Sequence, residues 1–473
     1  MTKETARSDW TATSVGALAR ALTAPIALDR AAVARAKLLL LDSLGCAFAA
    51  LDDPVARSVL HVVRSDGDCP IIGMDVKTDI FGAVLMNGTL IRVLDLNDYL
   101  ISDFNGEPET GGHPSDNIAA ALAVATARKK SGADVLAAIV AGYDVYARLQ
   151  SLMDRARGWD TVTVSGFAAP AIAGRLMGLD AEKLAHAIAL GAARAATPNI
   201  VRGGDISASK SIANALVAQS GMQAALLAEQ GVTGPLTILD DERGLKHLFA
   251  GASPKALGAP IDGSAILRAH VKMYPCVNTA QSAVAAAIQL HKAVKNHIGR
   301  IARVEATMPD YRVIRRHQDD EGRKDPKSRE AADHSFPFLI AVALKDGRLG
   351  TAQFENERWL NPAIRSLMAK IALKRDANLN RRAEHGYPCA MRIVLNDGRE
   401  HTADVPSPPP PRKRGTQVSA AGLDESAVID KFRALTESVP QLNPDRIIDA
   451  VMSLDKSSST AALDAAITKR KKK

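Results

Sequence analysis

The residues best suited to chemistry in this chain lie in one stretch. Asp95-Leu96-Asn97-Asp98-Tyr99 is followed by a loop rich in Gly, Glu and Pro, and then by His113-Pro114-Ser115-Asp116-Asn117, which opens an alanine-rich helix. Unpaired amides at a helix start carry partial positive charge, so His113 stands where an anionic substrate can be held. A carboxylate and an imidazole facing one bound anion are what proton abstraction beside a carboxylate requires. Spacing alone leaves a second reading open, in which Asp95 and Asp98 are turn residues and His113 is a partly buried histidine fixed by Pro114.

The elements that must position these residues are mostly helical. Ser115 or Asp116 is expected to cap the helix that continues through Ile118-Ala119-Ala120. Helical spacing of apolar residues predicts helices over 14–22 and 29–50, and another from Asp79 leads directly to Asp95. Further helices follow over 117–130, 132–152, 165–178 and 181–196, with breaks at Gly132, near Arg155–Trp159 and at Gly178. Gly203-Gly204 ends a loop before a helix running to about Gln230, and Lys210 sits in its first turn. A lysine there opposes the helix dipole, an oddity that a bound anion would remove. After Gly263 the pattern changes: a helix from Thr279 to Val294, an alternating strand from Ile301, and hairpin signals at Lys345-Asp346-Gly347 and Asn396-Asp397-Gly398.

Composition supports this reading. At 473 residues with 47% apolar content the chain can bury a sizeable core, while only 4% aromatic content favours tightly packed helices. The net charge of +8 is accounted for by Arg412–Arg414 and the terminal Lys469–Lys473, a linker and a tail without aromatic partners, which argues against nucleic-acid binding. Ser407-Pro408-Pro409-Pro410-Pro411 reads as an extended linker before a terminal helix at about 424–435. Cys46, Cys69, Cys276 and Cys389 are too scattered for a zinc site and suit reduced thiols. No apolar run is long enough to span a bilayer and no secretory leader is apparent, so a cytoplasmic location is expected.

The phrases "LDLNDY" and "GHPSDN", with "GMQAALLAEQGVTGP" after Lys210, "KMYPCVNTAQSAVAAAIQL" from Lys272 and "ADHSFPFLIAVALKDG" around His334, resemble the MmgE/PrpD family. That family includes 2-methylcitrate dehydratases, cis-aconitate decarboxylases and an iminodisuccinate epimerase. The resemblance implies a mainly α protein: a large all-helical domain from residues 1–265, a smaller α+β lid over 266–404, and a return of 405–473 to the first domain. It also implies a homodimer, and a di- or tricarboxylate bound between the two domains. Asp95 and His113 would then exchange protons with substrate, and Lys210 and Lys272 would clamp its carboxylates. Asp98, Tyr99, Ser115, Tyr274 and His334 would complete the binding site, His334 being a second candidate acid or base. Neither metal nor cofactor is expected.

The chain departs from the family pattern at four places. Tyr99 follows the Asp-x-x-Asp phrase where Thr is common, the loop before His113 is long and carries Glu107 and Glu109, Asp160-Thr161 replaces a histidine, and Phe338 stands where decarboxylases have tyrosine. The last change argues against decarboxylation. The reading is therefore dehydration of a 2-methylcitrate-like hydroxy acid by α-proton abstraction. Epimerisation of an imino- or amino-dicarboxylate is the alternative, followed by cis-aconitate decarboxylation or an inactive carboxylate-binding scaffold.

Overall fold

A computed structural model describes residues 9–26, 28–64, 66–104, 107–382, 386–406, 424–437, 439 and 442–468. The proline run at 407–411, the basic 412–414 segment and the terminal 469–473 tail lie outside the described residues.

The first part of the chain packs eight principal helices: α1 (Ser14–Thr23), α2 (Arg30–Ala49), α3 (Ile80–Arg92), α4 (Ile118–Ala127), α5 (Gly132–Leu152), α6 (Ser165–Met177), α7 (Ala181–Ala192) and α8 (Ser209–Glu229). Asp29, Asp79 and Asp180 cap α2, α3 and α7 by accepting a first-turn amide, which places the helix starts where the sequence put an acidic residue before an apolar run. α4 and α6 are buried along almost their whole length, and small alanine side chains let such helices approach closely. At one contact, a Cβ on Gly166 would lie 2.0 Å from the Ala195 methyl.

A second hydrophobic core runs from Tyr274 to Val405. Beyond a hairpin earlier in the chain, β1 (Leu100–Phe104) with β2 (Glu107–Gly112), this core holds α9 (Gln281–Val294), α10 (Phe336–Asp346) and a four-stranded sheet of β3 (Ile301–Pro309), β4 (Ile371–Asp376), β5 (Cys389–Leu395) and β6 (Glu400–Val405). The sheet order is β4-β3-β5-β6, with only the β4–β3 pair parallel. The chain then returns as α11 (Glu425–Thr436), whose Val428 and Phe432 join the first core together with Ile447, Val451 and Leu463.

Three local expectations change. The stretch before His113 is an antiparallel hairpin, β1 (Leu100–Phe104) with β2 (Glu107–Gly112), so the large domain is not all helical. Lys345-Asp346-Gly347 makes no hairpin: Gly347, at φ 66°, closes α10 with its amide on the Ala343 carbonyl, since a left-handed glycine ends a helix as readily as it turns a strand. Ser115 and Asp116 do not cap α4, which is preceded by a 3-10 turn, Pro114–Asn117, without a side-chain cap, because both side chains are engaged elsewhere. The Asn396-Asp397-Gly398 turn does join β5 to β6.

Candidate active site

Asp95 stands just past the end of α3, with φ 51°, a left-handed conformation in which helix ends usually place glycine. Aspartate tolerates it better than most residues, yet such a backbone costs roughly 1–3 kcal/mol and persists only where its surroundings hold it. Here they do. The Lys272 ammonium donates both to the Asp95 carbonyl oxygen at 2.9 Å and to Oδ1 at 2.7 Å, and Arg92 donates to the same carboxylate. Lys210 Nζ and His334 Nδ1 each lie 3.8 Å from Oδ2, which has no hydrogen-bond partner among the described residues. Burial pushes the Asp95 carboxyl up, but Lys272, Arg92 and Lys210 outweigh it and hold the group well below the usual carboxylate range.

His113 faces this carboxylate, its Nε2 3.9 Å from Asp95 Oδ1. Its Nδ1 lies 2.5 Å from the Asp98 carbonyl oxygen, which can only accept, so the proton is on Nδ1 and Nε2 carries the lone pair. Burial, reinforced by Arg92 and Lys272, drives the imidazole pKa well below its ordinary value. The cavity therefore holds a neutral imidazole with its basic nitrogen turned toward a permanent carboxylate.

Asp98, Ser115 and Tyr99 brace this site from behind. Asp98 accepts from the Ser115 hydroxyl at 2.5 Å and from Tyr143 at 2.7 Å, and burial raises its carboxyl to about 6 despite those bonds. Asn97 donates to Ser115 and to Asp116, whose carboxyl burial raises to about 7 against the pull of Arg92. Tyr99 pairs by backbone with His270 and stacks on its ring at 5.2 Å. None of these side chains lines the cavity, and neither does that of Tyr274, so the structure does not bring the four predicted substrate contacts Asp98, Tyr99, Ser115 and Tyr274 to it.

Lys210 answers its own oddity. The anion at its helix start is the lid's Asp333, whose two oxygens lie 2.6 and 2.7 Å from the ammonium. Asp333 also pairs with His334 Nδ1, and His334 lines the cavity. Burial, then the nearby Lys210, push the His334 imidazole down to about 3, so it too is neutral. Asp95, Asp333 and His334 each offer a ligand atom within 4.8 Å of the others, a spacing that would suit a metal ion. The donor set fits ammonium better, because Lys272 and Lys210 already occupy these carboxylates at hydrogen-bond distance.

The remaining wall of the cavity is arginine, and sequence reasoning missed it. Arg155, Arg202, Arg316 and Arg323 all line it, with Asn278 and Thr161 between them. Asp160, at the position of the replaced histidine, is fully buried and takes Arg202 Nε at 2.7 Å. Burial pushes Asp160 up, but Arg202 and Arg155 outweigh it and keep it ionised. Arg323 comes from the lid and donates to His317 Nδ1 at 2.6 Å and across the domain boundary to the Arg202 carbonyl at 2.8 Å. The backbones touch there too: a Cβ on Gly322 would lie 2.2 Å from the Gly204 carbonyl oxygen. Ser328, donating to the Ile206 carbonyl at 2.6 Å, and Arg329, donating to Val93 at 2.8 Å, complete this seam. The density of basic residues at 312–324 was the available signal.

Fold and site together define a two-domain, mainly helical protein with a buried, cation-rich cavity that both domains line, beside a neutral imidazole. The chain belongs to the MmgE/PrpD family: residues 19–257 match the MmgE/PrpD N-terminal domain and residues 274–456 the C-terminal domain. Among curated relatives, the chain is 26% identical to mouse cis-aconitate decarboxylase, over 78% of this chain and 77% of that protein. It is 27% identical to 2-methylcitrate dehydratase of Cupriavidus necator, over 76% and 77% of the two chains, and 24% identical to 2-methylcitrate dehydratase of Escherichia coli, over 88% of each. Among the described residues no helix is long and apolar enough to cross a membrane.

Proposed function

We propose that this protein is a hydro-lyase that dehydrates a hydroxy-polycarboxylate resembling 2-methylcitrate. The observation that carries the reading is His113: a neutral imidazole with Nε2 unprotonated, set beside a charged carboxylate in a cavity walled by guanidinium groups. Arginine forks suit substrate carboxylates geometrically, and Arg155, Arg202, Arg316 and Arg323, which line the cavity, take that role.

In this reading His113 Nε2 removes the proton on the carbon beside a bound carboxylate. The hydroxyl on the neighbouring carbon donates to Asp95 Oδ2, and leaves as water with a proton from the Lys272 ammonium, whose pKa burial lowers despite Asp95. The imidazolium then returns its proton to Lys272 by way of the Asp95 carboxylate, which takes Lys272 at 2.7 Å and lies 3.9 Å from His113 Nε2. Names of relatives cover both dehydratase and decarboxylase. Phe338, where decarboxylases have tyrosine, packs in the lid core against Phe354 at 5.6 Å and brings no hydroxyl to the cavity, which favours dehydration. A cytoplasmic homodimer remains the expected setting.

The test is incubation of the purified protein with 2-methylcitrate, citrate, cis-aconitate and iminodisuccinate in deuterated water, followed by proton NMR. A new alkene from a hydroxy acid is the expected product. Deuterium entering iminodisuccinate without an alkene would make the protein an epimerase, and no change across the panel would overturn the reading.

A further inference from the structure

The Asp95 turn is held from a second side by a residue that no element of the reaction requires. Lys431, on the returning helix α11, is buried and donates at 2.9 Å to the carbonyl of Leu96, the residue immediately after the left-handed Asp95. The other hand on the turn is Lys272, on the Asp95 carbonyl. Two successive carbonyls are thus held by two buried ammonium groups that arrive from segments 177 and 335 residues along the chain. Lys431 is neutralised by Asp42 of α2 at 2.6 Å, and the second oxygen of Asp42 has no hydrogen-bond partner among the described residues.

We propose that Lys431 is a positioning residue for the active-site turn: by fixing the Leu96 carbonyl it keeps Asp95 in its left-handed conformation, with Oδ2 toward Lys210 and His334. The C-terminal return of the chain thereby enters the site without lining it. Three features support this. A buried ion pair that served stability alone could be exchanged for apolar residues at little cost, so its second bond, to a strained turn, is the informative one. α11 is seated for that bond, because Gly45 leaves room for Phe432, which a Cβ there would meet at 3.1 Å, and Phe432 meets Phe48 edge-on at 6.3 Å. Finally, Arg92 and Lys272 fix the Asp95 side chain by Oδ1 only, so the backbone decides where Oδ2 points.

The proposal rests on the reading of Asp95 as part of the reacting site, and its test separates the two. Lys431→Met removes the ammonium, and the Asp42→Asn/Lys431→Met pair removes it without stranding the Asp42 carboxylate, in case the single variant fails to fold. With a substrate from the panel, kcat should fall on the order of 10- to 100-fold in both while KM stays within about two-fold, because a displaced reacting group costs rate more than binding. An unchanged kcat with a lowered unfolding temperature would make Lys431 an ordinary core residue and overturn the proposal. A crystal structure of the double variant decides the matter even if no substrate is turned over. An Asp95 φ that leaves the positive region supports the proposal, and one that stays near its present value sinks it.

Discussion

The two walls of the cavity spend their charges differently. On the Asp95 side every cation meets a carboxylate of the protein: Lys272 and Arg92 meet Asp95, and Lys210 meets Asp333. On the other side four arginines converge, and the carboxylates that steady them, Asp160 and Asp320, take guanidinium Nε atoms of Arg202 and Arg323. A wall of matched charges suits proton transfer, because it fixes protonation states without trapping substrate. A wall of converging guanidinium groups suits binding, because their forks gain from an anion. The difference teaches where to look for rate and where to look for affinity.

The sharpest break of that comparison is His113→Ala, which should lower kcat by roughly 10²–10⁴-fold while the protein stays folded, read by turnover alongside circular dichroism. A variant retaining turnover would remove the base from the matched wall. Arg202→Ala should act on the opposite wall and mainly raise KM, by roughly ten-fold or more, since a hydrogen bond to a charged group is worth about 1.5–3 kcal/mol. Equal losses in kcat and kcat/KM would show the two walls to be one functional unit.

Gly322→Ala would force apart the backbones that join the walls, where a Cβ meets Gly204 at 2.2 Å. We expect a lower unfolding temperature and a weaker KM together, measured by calorimetry and kinetics. The pH dependence of stability is a gentler probe. His113, His317 and His334 all have folded pKa values depressed by burial, so their contribution is fully present above the unfolded imidazole value of about 6.5. It is lost as pH falls below that value, and the unfolding temperature should decline there. Asp98 works the other way: with its carboxyl raised to about 6, its contribution is present below the unfolded carboxyl value of about 3.9 and lost as pH rises through 6, which blunts the decline. The smallest effect should come from Glu107→Gln. Glu107 ties the β1–β2 hairpin to the lid through the Arg312 amide at 3.0 Å and Arg315 at 3.4 Å, and an exposed pair of this kind is worth about 0–1 kcal/mol.

Much of this was legible in the chain itself. The Asp caps and the apolar runs after them determine where α2, α3 and α7 begin, because capping and helical periodicity act within a few residues. The same locality explains why Asp95 and His113 were found: each sits at a helix terminus marked by its neighbours. Asp346-Gly347 shows the limit, since its left-handed glycine serves a helix end or a hairpin and only packing chooses. The partners were beyond reach for a different reason. Lys210 with Asp333 and Lys431 with Asp42 and Leu96 join segments 123 to 389 residues apart, and a chain rich in basic residues gives no local mark to those that will be buried. Sequence by itself determined most of the elements and which side chains are suited to chemistry. Tertiary structure decided their protonation, because a pKa is set by burial and by the charges that folding brings near, and it lined one wall of the cavity with arginines while it paired the lysines with carboxylates.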